Sequence, residues 1–244
     1  MSRALTVALA GLGTCGGVVL PRPAPAHPLI AAANPAARYV GEPTPAAKLL
    51  EVSASAIGET IVLLCFIRLC AVAVGACHSP RSRAVVTAIS WFLVIQGSQR
   101  LQGVMQSSKE VLNPGWYDSL KKPIWQPAPW VFPLVWIPLK MMQTVAASRL
   151  WAKLDYKSFS EPSIVLFIVH IALGDIWNRQ FFLKQRLLTG LLVIYAFWAV
   201  VICTTVLFSL SSTLSASLLL PTVVWVGIAA ALNLDVWWLN TVGN

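Results

Sequence analysis

Trp136 and Lys140 stand one helical turn apart in a run that also carries Phe132, Pro133 and Gln143 at helical spacing. One face of a single helix would therefore show two ring systems, a cation and an amide. Other runs repeat the theme. Gln96, Gln99, Arg100 and Gly103 share a face, Trp177 shares one with His170, Gly174 and Phe181, and Pro221, Trp225, Ala229 and Leu232 share another with Asn233 at its edge. Indoles beside small residues suit a flat apolar body, and Arg100 and Lys140 suit carboxylates. The chemistry this implies is recognition of an anionic amphipath rather than bond-making. No Ser/His/Asp arrangement, carboxylate dyad, Gly-rich phosphate loop or metal-ligand spacing is present, which disfavours hydrolytic and nucleotide chemistry. Cys15, Cys65, Cys70, Cys77 and Cys203 show no paired spacing and read as small apolar fillers. His170, alone on an apolar face, reads as a hydrogen-bonded core histidine rather than a haem-iron ligand. Asp175 and Arg179 lie roughly 160° around the axis from Trp177. They read as an i, i+4 pair turned toward a neighbour or a second subunit, which leaves no Lys140 to Asp175 bridge.

These residues need a membrane-embedded scaffold. With 57% hydrophobic and 11% charged residues the chain is too apolar for an ordinary soluble domain. The apolar runs do not alternate as barrel strands would, so the expected class is an all-α integral membrane protein. Five segments, 84–105, 130–151, 162–182, 187–209 and 215–239, are expected to span, separated by Asn113-Pro114-Gly115, by Ser160 with Pro162, and by a polar gap from Ser209 to Ser217. The domain reading is a targeting leader over 1–58, an accessory apolar helix over 59–80 interrupted by Arg68, and a five-helix domain over 81–244. The leader is rich in Ala, Pro and Gly, carries Arg3, Arg22, Arg38 and Lys48, and has no acid before Glu42, the composition of an organellar transit peptide. The net charge of +9 is scattered through connections and forms no basic stripe, so nucleic acid is not an expected partner. Basic residues divide evenly between the two sides, and the positive-inside rule assigns no orientation. All eleven tryptophans lie at or after Trp91; Trp91, Trp151, Trp198, Trp237 and Trp238 read as interface belt or lipid-facing residues.

The stretch from Trp116 to Trp136 resembles the signature of the translocator protein family, also called tryptophan-rich sensory proteins (TspO/MBR). Trp116-Tyr117, Leu120, Lys122-Pro123, Trp125, Pro127, Trp130-Val131-Phe132 and Trp136 carry the first block. His170 to Leu173, Trp177 and Phe181-Phe182 carry the second, and Pro221, Trp225, Ala230, Leu232-Asn233, Trp237 and Leu239-Asn240 the third. The likeness covers about residues 84 to 240. It implies a bundle of five membrane helices, often dimeric, with a cavity beneath the first connecting loop that binds porphyrins such as protoporphyrin IX and haem. By motif position it implies ligand contacts at Phe132, Val135, Trp136, Trp177, Trp225, Ala229 and Leu232, to which the stripes above add Arg100 and Lys140. Lys140, Thr222 and the stretch from Gly174 to Arg179 depart from the family pattern, and Leu234, Asp235 and Trp238 stand where a cholesterol-recognition pattern would need a tyrosine and a base. The expectation is a divergent, plastid-type member, with the mitochondrion as the second location, that binds, senses or moves tetrapyrroles with no obligatory cofactor. Light-dependent porphyrin degradation, reported for some bacterial relatives, and a ligand-free membrane scaffold are the alternatives.

Overall fold

The computed structural model describes residues 44–105 and 114–242, the side chains of 99–105 and of residue 114 excepted. Every regular element among the described residues is helical. In chain order they are α1 (Pro45–Gly75), α2 (Pro80–Met105), α3 (Pro114–Ser119), α4 (Val131–Lys153), α5 (Pro162–Asn178) continued by a π-helical turn (Arg179–Leu183), α6 (Leu187–Ser211), α7 (Thr213–Ser217) and α8 (Leu220–Thr241).

The chain divides into two units, Met1–Glu51 and Val52–Asn244. The described part of the first is Thr44 and the opening turns of α1. The Thr44 hydroxyl accepts the Ala47 N–H at 3.2 Å and Pro45 occupies the first helical position, a start signal in which the ring costs no hydrogen bond. The helix therefore begins well inside the segment expected to be leader. Ala is the best helix former, and no proline follows Pro45 until Pro80, so nothing interrupts the helix. Residues 1–43 of the expected leader lie outside the described residues.

The second unit holds the bundle. By length and composition five helices are apolar enough to cross a membrane: α1, α4, α5 with its π turn, α6, and α7 with α8. This set replaces the expected 84–105 span with the accessory helix. Gln96, Ser98, Gln99, Arg100 and Gln102 make the second half of α2 polar, yet at 1.5 Å per residue its 26 residues reach about 39 Å, more than the roughly 30 Å of a hydrocarbon core. A polar stripe on a helix of that length has to face protein. The chain is an all-helical integral membrane protein.

The helices close a ring. α2 packs on α4 and α5, α5 on α6, and α6 on α8. Side chains bridge α8 back to α4 (below). Two apolar clusters fill the ring. One joins Leu63, Leu64, Ile67 and Val74 of α1 to Trp91, Val94 and Ile95 of α2, Leu150 and Trp151 of α4, Phe167 of α5 and Phe208 of α6. The other joins Trp177, Phe181, Phe197, Val226, Ala229, Leu232 and Val236, with Phe132, Trp136, Trp116 and Tyr117 packed against it. Apolar contact with lipid is nearly as good as contact with protein, so close ring packing supplies the preference for this arrangement. Trp91 and Trp151 are fully buried, their rings edge-to-face at 5.8 Å, with Trp91 likewise on Phe167 at 5.3 Å. Neither is a belt residue. A tryptophan whose neighbours leave a ring-sized gap gains more from filling it than from the interface, and sequence position alone does not reveal the gap. The Trp198 indole, partly buried, is tied to α8: its Nε1 donates to the Val223 carbonyl at 2.9 Å. Trp238 is exposed, as a belt residue would be.

Candidate functional site

The seam between α4 and α8 is held by side chains at two levels. At one, the Phe132 ring meets Trp225 edge-on at 5.8 Å. At the other, Gln143 Nε2 donates to Thr222 Oγ1 at 3.1 Å, both residues buried. Along α4 these levels are about 16 Å apart at 1.5 Å per residue, whereas Thr222 and Trp225 are separated by one turn of α8. The stretch of α4 between them carries Val135, Trp136 and Lys140, which are partly buried. Trp225 is 9% exposed, and its Nε1 has no hydrogen-bond partner among the described residues. A buried indole N–H normally finds an acceptor, because leaving it unmade costs about 1–3 kcal/mol.

Trp177 approaches the same region from α5. Its Nε1 donates to Asn233 Oδ1 at 3.1 Å, and Asn233 Nδ2 in turn donates to the Ala229 carbonyl at 2.9 Å. This fixes the indole against Ala229 and Leu232, both buried in the same cluster. The π turn that follows presents Phe181 and Phe182 as a pair, 4.8 Å apart and edge-on. Trp116 packs on Phe181 at 5.6 Å and Tyr117 on Phe182 at 5.6 Å, so α3 closes over this end of the bundle. Gly190 makes room for the turn, since a Cβ there would stand 3.1 Å from Phe181 Cβ.

The loop after α3 is tied down. Lys121 N–H donates to Asn240 Oδ1 at 3.0 Å, Asn240 Nδ2 donates back to the Lys121 carbonyl at 2.8 Å, and Trp125 Nε1 donates to Asp235 Oδ2 at 2.9 Å. Lys122 Nζ lies 4.5 Å over the Tyr117 ring. Burial, with a smaller contribution from Asp118, pushes the Tyr117 phenol up to about 12.

The structure thus gathers Phe132, Trp136, Trp177, Ala229 and Leu232 in one cluster, with Trp225 joined through Phe132. The polar candidates fare differently. Lys140 Nζ donates to the Ile95 carbonyl at 3.3 Å, which directs the ammonium toward α2. Asp175 is only 6% exposed, and its charge acts on Lys140, so it lies inside the chain and does not present a face to a second subunit. The helical wheel gave its angle from Trp177 correctly but could not show that α5 is covered on both sides. Arg100 is on α2, and its side chain lies outside the described residues. His170 is 1% exposed, between the Phe167 ring at 4.5 Å and the Phe197 ring at 6.1 Å, with no hydrogen-bond partner for either nitrogen among the described residues. It is a packed core residue.

Comparison with known proteins follows this geometry. Residues 85–239, more than half of the chain, match the TspO/MBR family. The chain belongs to this family. Similar proteins include Protein CrtK of Rhodobacter capsulatus, 38% identical over 53% of this chain and 82% of the relative. The tryptophan-rich sensory protein of Cereibacter sphaeroides is 32% identical over 61% of this chain and 89% of its own length. The translocator protein of Sus scrofa is 32% identical over 55% and 82%. The TspO/MBR match starts at residue 85, after α1, and takes α2 as its first helix.

Sequence reasoning missed three features of the site. The partners of Trp177 and Gln143 stand on α8, and side-chain pairing between distant helices leaves no periodic signal. The Trp125 to Asp235 bond joins a loop to a helix end at a position where the family pattern already departs.

Proposed function

We propose that this TspO/MBR protein binds a porphyrin or related anionic amphipath in the Trp-lined seam between α4 and α8, in order to sense it or carry it across the membrane. The observation that carries the reading is Trp225: a buried indole whose N–H has no acceptor among the described residues, edge-on to Phe132. A planar ligand with peripheral carboxylates would offer ring surface to the indoles and acceptors to Trp225 Nε1 and to the cations Lys140 and Arg100. Names of relatives that include translocator protein and tryptophan-rich sensory protein support a ligand-handling role. The leader's composition supports delivery to an organelle membrane, the plastid first and the mitochondrion second, and a fluorescent fusion of residues 1–44 tests that.

The decisive experiment titrates the full chain in lipid nanodiscs with protoporphyrin IX in the dark, reading Trp fluorescence. Saturable quenching is expected. Trp225→Phe, which keeps the ring and deletes the donor, should weaken affinity about fivefold, and Arg100→Gln with Lys140→Leu about tenfold, as loss of one neutral or one charge-assisted hydrogen bond would give. Unsaturable quenching would overturn the reading. New absorbing products under illumination, lost in Trp136→Phe or Trp225→Phe, would move light-dependent degradation ahead of plain binding.

A further inference from the structure

Lys140 and Asp175 both stand where the chain departs from the family pattern, and the fold leads them to one place. Three faces of the apolar cluster around Trp91 and Trp151 run there. Trp91, Val94 and Ile95 of α2 continue along one face into Ser98, Trp151 and Ala147 of α4 into Lys140, and Ile164, Ile168 and Ile171 of α5 into Asp175. All three continuations point to the same end of the bundle. Trp151 meets Trp91, whereas Lys140 Nζ reaches the Ile95 carbonyl at 3.3 Å, so α2 and α4 run in opposite directions. The start of α4 and the end of α5 share the other cluster through Phe132 and Trp177. The far side of α5 belongs to α6 and α8: a Cβ on Gly174 would stand 3.3 Å from the Phe197 ring, and Trp177 bonds to Asn233.

The junction of α2, α4 and α5 thus collects an ammonium, a carboxylate, a hydroxyl and a backbone carbonyl above an apolar floor. Ser98 is 1% exposed, and its hydroxyl has no hydrogen-bond partner among the described residues. Asp175 is buried as well, and its charge acts on Lys140. Arg179, one turn beyond Asp175 on α5, is a second cation on that side. Charges inside a membrane bundle are costly unless opposite charges offset them, and in so dry a place their fields reach whatever binds alongside. Trp136, one turn from Lys140, packs against the cluster of Trp177 and Leu232, so the junction borders the candidate site.

We propose that Asp175 is a specificity-determining residue of the ligand site: from α5 it offsets the charge of Lys140, so that an anionic amphipath is held less tightly than the ammonium alone would hold it. The proposal rests on the anionic-ligand reading above. A ligand that is sensed or carried has to leave again, and an acid placed beside the binding cation weakens the grip on the carboxylate without touching the contacts to the ring. Removing the charge of Asp175 therefore strengthens the attraction for an anion. It leaves the affinity for an uncharged ligand of the same shape where it was. Removing both charges returns the junction to its original balance.

The test uses the full chain in nanodiscs and two probes, protoporphyrin IX and its dimethyl ester, which has the same ring and no free carboxylate. Affinities are read by Trp quenching, and the ratio of acid to ester affinity isolates charge from packing. Asp175→Asn is expected to raise that ratio about tenfold, the weight of one charge-assisted hydrogen bond, with the ester unchanged. Lys140→Met with Asp175→Asn leaves the junction without either charge and serves where the single change does not fold; its ratio should stay near that of wild type. Arg179→Gln should leave the response to Asp175→Asn in place. Equal ratios in wild type and Asp175→Asn, with both still binding, would overturn the proposal and leave the ligand reading intact. So would an equal gain for acid and ester, a gain over wild type that survives in the double variant, or a response lost in Arg179→Gln, since each puts the effect elsewhere than on Lys140. A double variant about tenfold below wild type would overturn it too, by showing that Lys140 attracts the anion undiminished. Absence of saturable quenching by either porphyrin in every protein would remove the ligand reading and the proposal together.

Discussion

Trp177 illustrates how far single residues were legible. Its position on a stripe with Gly174 and Phe181 followed from helical period, and the structure places it in the cluster with Trp136 and Leu232. Its anchor, Asn233 on α8, was not legible, because a side-chain bond between helices 56 positions apart depends on how the ring closes. Trp177→Phe keeps the ring and strands the Asn233 oxygen in a buried site. It should cost about 1–2 kcal/mol, read as a lowered thermal midpoint in detergent, and Asn233→Leu in the same background should recover part of the loss. An unchanged midpoint in Trp177→Phe would show that the bond contributes nothing net. Tyr117 makes a separate prediction. Its phenol is pushed up to about 12 against an ordinary value near 10, mainly by burial. A raised value means that the neutral phenol stabilises the folded mouth below about pH 10, and that this contribution is lost as pH rises through about 12. Phenolate absorbance should rise with that late midpoint, and Tyr117→Phe should blunt alkaline destabilisation over the same window. A midpoint near 10 would mean that α3 does not cover the ring in solution.

At the scale of elements, the segments 130–151, 162–182, 187–209 and 215–239 were readable from apolar length and from their Ser, Pro and Asn breaks. The start of α1 at Pro45 is not legible from composition, because an Ala-rich stretch suits a leader and a helix equally. The π turn after α5 was invisible, since one extra residue per turn changes no composition. How α6 meets α8 also depends on contact rather than pattern. The indole of Trp198 lies against Gly227, where a Cβ would stand 3.1 Å from its Nε1, while that Nε1 donates to the Val223 carbonyl at 2.9 Å. The carbonyl and the missing Cβ are one turn apart on α8, so the glycine is what lets the bond form. Gly227→Ala should cost about 1–3 kcal/mol by pushing the indole away, despite alanine's better helix propensity. In a Trp198→Ala background the same change should become neutral or stabilising by up to about 1 kcal/mol. Equal effects of Gly227→Ala in the two backgrounds would show that the helices do not meet through this contact.

For the whole molecule, the number of helices that cross the membrane decides where every connection lies. The family domain contributes α2, α4, α5, α6 and α8, and α1 is added ahead of it. The packing already gives α1 a direction. Val52 and Ala56 lie against the cluster that holds Val236 near the end of α8, whereas Val74 lies in the cluster that holds Trp151 near the end of α4. If α1 crosses, as its apolar length allows, Ser53 and Trp238 stand at one membrane face and the α1–α2 connection at Cys77 stands at the other. If α1 instead lay along the interface, Ser53 and Cys77 would share a face. Single-cysteine proteins made from Ser53→Cys, Trp238→Cys and native Cys77, labelled in sealed vesicles with a membrane-impermeant maleimide, separate the two arrangements. Ser53→Cys and Trp238→Cys should react from the same side and Cys77 from the opposite one. If α2, α4, α5, α6 and α8 each cross, Cys77 and Trp238 stand on opposite faces in either case, so their pattern checks the domain independently of α1. Reaction of Ser53→Cys together with Cys77 would take α1 out of the membrane.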